Sequence, residues 1–159
     1  MNRPHGMARR ASARGEILIE VLIAILILGV GLLGVAAMQA TALRNNGSAM
    51  QRSQAATQIQ TIFDSMRANR TSALAGAYAI SRTCTAPSGG TLAGNDLSSW
   101  ISALQTSLGS AACGTITCSG SPLACTVKVD WDDSHATDAS GTGVAAGNAT
   151  YSISASAQL

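Results

Sequence analysis

From Val21 to Leu43 the chain passes through 23 positions without a charged residue. As an α-helix that stretch reaches roughly 34 Å at about 1.5 Å per residue, enough to cross a ~30 Å hydrocarbon layer. Beyond it the pattern changes. Ala55, Ala56, Ile59, Ile62, Phe63 and Met66 recur at helical spacing, while Gln51, Arg52, Gln54, Gln58 and Gln60 fall largely elsewhere. That is one apolar stripe on a helix running on into water, with no proline and with Gly47 as its interior weak point. The pattern predicts a hydrophobic segment over 16–43 and its polar continuation over 44–70. The stripe needs a surface to pack on, and the C-terminal part of the chain must supply it.

Thr71 to Asn95 is rich in Ser, Thr, Ala and Gly and reads as a loop holding Cys84 and the turn Pro87-Ser88-Gly89-Gly90. A short helix follows, capped by Asn95 or Asp96 and stopped by Gly109. Leu97, Trp100, Ile101, Leu104 and Leu108 fall on one of its faces, so Trp100 reads as core. Then the period becomes two. Thr115-Ile116-Thr117 is a short strand. Val127, Val129 and Trp131 alternate with Thr126, Lys128 and Asp130, and Tyr151, Ile153, Ala155, Ala157 and Leu159 alternate with polar residues. Asp132 to Asn148 is a Gly-, Ala- and Asp-rich connection. The fold class is α+β: a long N-terminal helix packed on a small antiparallel sheet, with 71–159 as a small α+β domain holding the four cysteines.

Charge changes the picture once it is split. Arg3, Arg9, Arg10 and Arg14 give residues 1–15 a charge of +4 with no acid, and residues 16–159 carry −2. The basic balance of the chain is therefore confined to its first residues, and no basic patch for nucleic acid remains in the rest. Four arginines ahead of the apolar segment place the N-terminus in the cytoplasm and the residues after it across the membrane. Cys84, Cys113, Cys118 and Cys125 all lie on that oxidising side, where disulfides are the default. Four cysteines allow three pairings; the turn-like Ser119–Ala124 segment favours Cys118–Cys125 with Cys84–Cys113.

Other chemistry is weak. Gly29-Val30-Gly31-Leu32-Leu33-Gly34 spells a dinucleotide fingerprint, but the run before it is too long for a strand and no acid occurs between Glu20 and Asp64. The spacings Cys113-x4-Cys118-x6-Cys125 lack the two tight knuckles of a zinc site. Asp130, Asp132, Asp133 and Asp138 lack the glycine turn and terminal Glu of a calcium loop and read as solvated acids. His135 has no nucleophile in a recognisable setting beside it. No catalytic residue, cofactor site or metal site emerges, and the chain does not read as an enzyme.

The chemistry that remains is at the start of the apolar segment. Glu16 and Glu20 stand one helical turn apart, and a carboxylate in hydrocarbon needs a partner. A secretory signal is cut after its apolar stretch; here the plausible cut, after Gly15, precedes it, so a basic leader over 1–15 would be lost and the helix kept. Gly15-Glu16-Ile17-Leu18-Ile19-Glu20-Val21-Leu22 resembles the class III signal of type IV prepilins, with Glu16 where that family usually has Phe. The resemblance implies cleavage after Gly15 by a prepilin peptidase, an N-methylated mature terminus at Glu16, and Glu20 as the assembly glutamate. Asp64-Ser65-Met66-Arg67-Ala68-Asn69, Leu32-Leu33-Gly34, Met38-Gln39 and Trp131-Asp132 resemble the minor pilins of the PilV type.

What the resemblance implies is a pilin-like fold and a minor subunit that initiates or modifies type IV pilus assembly. Its partners would be other minor pilins, the major pilin, the prepilin peptidase, the inner-membrane platform, and membrane lipid before assembly. The chain would start as a single-pass inner-membrane protein with a periplasmic domain and finish in a fibre at the cell surface. A type II secretion pseudopilin shares the same N-terminal physics. A fibre-tip subunit for adhesion or DNA uptake is a third reading, against which the −2 charge of residues 16–159 argues.

Overall fold

A computed structural model describes residues 14–136 and 150–159, with side chains from Ile17 onward. Most of the expected leader, Asp138 and most of the Asp132–Asn148 connection lie outside the described residues. The chain divides into two compact units, Met1–Ala40 and Thr41–Leu159. One helix, α1 (Arg14–Ala68), contributes to both.

In the first unit α1 is helical throughout, and its 15 large apolar side chains from Ile17 to Met38 are 45–73% exposed. Covering such side chains is worth about 1.5–3 kcal/mol each, so leaving this row in water would cost on the order of 20 kcal/mol. The helix passes through Gly29, Gly31 and Gly34 without a strand or turn, and a side chain at any of the three would meet open space. No strand-to-helix phosphate loop exists there.

In the second unit the polar half of α1 is followed by α2 (Arg70–Leu74), β1 (Ile80–Thr83), α3 (Leu92–Leu108), β2 (Cys113–Ser119), β3 (Ala124–Trp131) and β4 (Tyr151–Gln158). The strands form one antiparallel sheet in the order β1-β2-β3-β4. The architecture is α+β, with a long N-terminal helix and a small four-stranded sheet. Ala55, Ile59, Ile62, Phe63 and Met66 of α1 join Leu97, Trp100, Ile101, Leu104 and Leu108 of α3 and Ile116, Val127, Val129 and Trp131 of the sheet in one core. Ala56 alone of the expected stripe is exposed, because the face buried against α3 and the sheet is narrower than the helical spacing allows.

Trp100 ties the layers together. Its Nε1 donates to the Gln58 carbonyl of α1 at 3.0 Å, and its ring lies over Gly114 of β2. Glycine is required at 114, because a Cβ there would come within 2.5 Å of the Trp100 ring.

The stretch expected to be a loop, Thr71–Asn95, contains all but the first residue of α2, β1 and the first turn of α3. β1 escapes a search for alternation because it has four residues, of which Ile80 and Thr83 are half-buried and Ser81 and Arg82 exposed. Its strand character comes from pairing with β2. The start of α3 also differs. Thr91, not Asn95 or Asp96, is the N-cap, its hydroxyl accepting from the Gly94 amide at 3.0 Å. Asn95 instead accepts from the Gly90 amide, and Asp96 accepts the Tyr78 hydroxyl. Both acids and amides near a helix start can cap it, and the preceding turn decides which one does. Gly109 closes α3 with φ of 104°, as its sequence position predicts.

Candidate functional site

The residues singled out at the N-terminus fall in the first two turns of α1. Gly15 is the second residue of the helix, and Glu16 and Glu20 lie four residues apart in it. That spacing puts two positions on one helical face. Glu20 is exposed among apolar neighbours: Ile17, Ile19, Val21 and Ile23 are all more than half exposed around it. A lone carboxylate at such a place is unfavourable by about 2.5–3.5 kcal/mol at mid-bilayer, less near the interface. Among the described residues, α1 is the one helix long and apolar enough to cross a membrane. A cation facing Glu20 would therefore be favoured wherever hydrocarbon or other helices replace water.

The cysteines form two disulfides, Cys84–Cys113 and Cys118–Cys125. The second joins residues directly opposite each other on β2 and β3 and closes the Ser119–Ala124 turn. The first fastens the segment after β1 to the start of β2, beside the Gly114–Trp100 contact. Among the described residues no cysteine is free, and no three metal-ligating side chains converge.

Two of the acids at the end of β3 depart from expectation. Asp132 is exposed, and the amide of Ser134 bonding its carboxylate holds its pKa below the usual value. Asp130 and Asp133, by contrast, are 2% and 1% exposed. Asp133 accepts from the Ser48 hydroxyl of α1 at 2.7 Å and faces Arg52 at 3.4 Å and His135 at 3.8 Å. Arg52 also lies over the Tyr151 ring at 4.3 Å, and Tyr151 packs on Trp131. On the other face of the sheet, Arg82 of β1 donates twice to one Asp130 oxygen, at 2.6 and 2.8 Å. These two carboxylates are fasteners, one for α1 on the sheet and one for β1 across β2 to β3. Sequence offered no signal for them, because their partners lie 48 to 85 residues away.

A third polar knot joins α1, α3 and the segment before β1. Tyr78, fully buried, donates to Asp96 and accepts from Asn69 at 3.3 Å. Burial first, and the hydrogen bond to Asp96 second, raise its pKa above 10.0. Tyr78 therefore stays neutral, which suits a donor to a carboxylate.

The fold and its exposed helix thus define an α+β chain with one candidate membrane-spanning helix near its N-terminus and a disulfide-bonded domain behind it. No family model matches the chain, and neither curated proteins nor solved structures give a match.

Proposed function

We propose that this chain is a minor pilin: a subunit inserted in the inner membrane, cleaved after Gly15, and assembled through α1 into a type IV pilus. The observation that carries the proposal is Gly15-Glu16-Ile17-Leu18-Ile19-Glu20 ahead of the charge-free stretch Val21–Leu43 of α1, whose apolar side chains find no cover among the described residues. Cleavage frees the α-amino group of Glu16 as a cation, either beside Glu20 of the same subunit or facing Glu20 of the next. Paired, the two charges lower the cost of leaving water, and between subunits they set the axial register of the fibre. Methylation of that amine keeps its charge. Glu16 adds a second acid near a helix N-terminus, where the dipole favours it by about 0.3–1 kcal/mol.

The domain behind the helix supports the same reading. Its core needs the polar half of α1, so the helix that would sit in the fibre also completes the fold of the part that faces solvent. A long helix followed by small helices and an antiparallel sheet, with β1 set between α2 and α3, suits a pilin-like subunit whose role would be to initiate or modify assembly with other minor pilins and the major pilin.

Mass spectrometry of the N-terminus in cells with and without prepilin peptidase tests the proposal. The expected mature chain begins at Glu16, carries a methyl group, and is replaced by the leader-bearing form without the peptidase. An intact Met1 or Met7 start in peptidase-positive cells overturns it. Deletion scored for both piliation and protein secretion then separates a pilus subunit from a secretion pseudopilin.

A further inference from the structure

The two edges of the sheet are built differently. β1 has four residues, carries Arg82, and pairs with β2 in a register that shifts between Ile80 and Thr83. Short length, charge and irregular pairing are the devices that stop an edge from accepting another strand. β4 has none of them. It runs eight residues without a charge or a proline, and all eight pair with β3 in unbroken register.

The geometry of the ladder says which groups of β4 are free. The Leu159 amide donates to the Leu123 carbonyl at 3.2 Å, so odd-numbered residues turn their backbone toward β3. Cys118 and Cys125 agree: they are opposite one another with Cα atoms 4.0 Å apart. That close spacing marks a pair without mutual backbone bonds, so Cys125 bonds instead to Ala157 on its other side. Alternation then turns the N–H and C=O of Ser152, Ser154, Ser156 and Gln158 outward. Among the described residues no strand takes them up.

We propose that β4 is a self-association edge, at which two copies of this chain pair their β4 strands antiparallel about a two-fold axis through Ala155. A second copy is the occupant the strand itself specifies. Pairing must keep side chains on their own face, so the register moves in steps of two residues. The register centred on Ala155 sets Tyr151 against Leu159 and Ile153 against Ala157 on one face. On the other it sets Ser152 against Gln158 and Ser154 against Ser156. Apolar meets apolar, polar meets polar, and no like charges are opposed, because β4 carries none. The partner's row also reaches what this chain leaves open: Tyr151, Ile153, Ala155 and Ala157 are half-buried, whereas Val127 and Val129 on β3 are fully covered. The inference does not rest on the fibre reading, since it concerns the sheet alone.

The test is the protein mass of the full chain in detergent micelles, measured by light scattering across a concentration series. The native chain is expected to shift from monomer to dimer. Ser154→Pro removes an outward N–H that β3 does not use, so it should leave the melting curve in place and abolish the dimer. Ser156→Lys, which restores a charge to the edge without touching the backbone, should weaken dimerisation at least tenfold and recover with salt. A chain that stays monomeric at every concentration overturns the proposal. So does a dimer that both variants leave intact, which would belong to the apolar helix instead.

Discussion

Replacing Gly114 by Ala probes the contact that joins the helices to the sheet. The new Cβ would stand 2.5 Å from two atoms of the Trp100 ring and 2.9 Å from Ile101 Cδ1. Ordinary carbon contacts begin near 3.5 Å, so something must move by about 1 Å. Neither neighbour can yield into solvent, because Trp100 is 3% exposed and Ile101 is fully buried. Trp100 is also held from the other side by its bond to the Gln58 carbonyl. Overpacking of this kind costs about 1–3 kcal/mol. The backbone entropy that Ala removes from the unfolded chain returns about 0.5–1 kcal/mol, which from the middle of that range, about 2 kcal/mol, leaves a net loss of about 1–1.5 kcal/mol. At about 4 °C per kcal/mol for a domain of this size, the melting temperature should fall by roughly 4–6 °C.

The assay is thermal unfolding of the full chain in detergent followed by tryptophan fluorescence, which reports on the second unit because Trp100 and Trp131 both lie in it. A second arm makes the cause specific. Trp100→Phe alone opens a void and loses the Nε1 bond, but combined with Gly114→Ala it gives the methyl room, so the double variant should be about 0.5–2 kcal/mol more stable than additivity predicts. If Gly114→Ala leaves the midpoint within about 1 °C, or the two changes simply add, the account of this interface is wrong.

Other outcomes follow from the same geometry. Asp133→Ala leaves the buried Ser48 hydroxyl without its acceptor and frees Arg52, and should lower the urea unfolding free energy by about 1–3 kcal/mol; an unchanged midpoint would mean that α1 is not fastened there. In the chain-entropy picture, replacing Cys84 and Cys113 by Ser costs about 3.6 kcal/mol for a separation of 29 residues, and replacing Cys118 and Cys125 about 2.4 kcal/mol for 7, so denaturant titration should rank the first variant as the less stable. The raised pKa of Tyr78 means that the folded chain holds its phenolic proton where the unfolded chain has lost it. Its contribution is complete below pH 10.0 and declines as pH rises above that, so Tyr78→Phe should flatten the alkaline fall of the melting temperature. On the proposed function, Glu20→Ala should leave cleavage after Gly15 intact in an N-terminal mass measurement while blocking recovery of the subunit in sheared fibres; incorporation at the native level would refute the charge-pair account of assembly.

Local chemistry was enough to read much of this protein. The charge-free run from Val21 to Leu43, the stripe from Ala55 to Met66, the apolar face of α3 with its Gly109 stop, and the alternation in β3 and β4 all follow from periodicity, which each residue carries by itself. Gly15, Glu16 and Glu20, which carry the proposed cleavage and assembly, stand out because the motif they form lies within six consecutive positions. The favoured disulfide pairing was legible because one bridge spans a short turn. What periodicity misses is whatever a distant partner creates. β1 is a strand because β2 lies beside it. Asp130 and Asp133 look like solvated loop acids until Arg82 and Ser48, 48 and 85 residues away, make their burial tolerable. Thr91 caps α3 because the turn before it leaves its hydroxyl, and not the side-chain oxygen of Asn95 or Asp96, over the open amides. Gly114 has no turn to make, and only the indole laid across it by α3 explains why it bears no side chain. Short-range order is set by each residue's own propensity, whereas burial of charge and close approach of backbone depend on where the whole chain folds back.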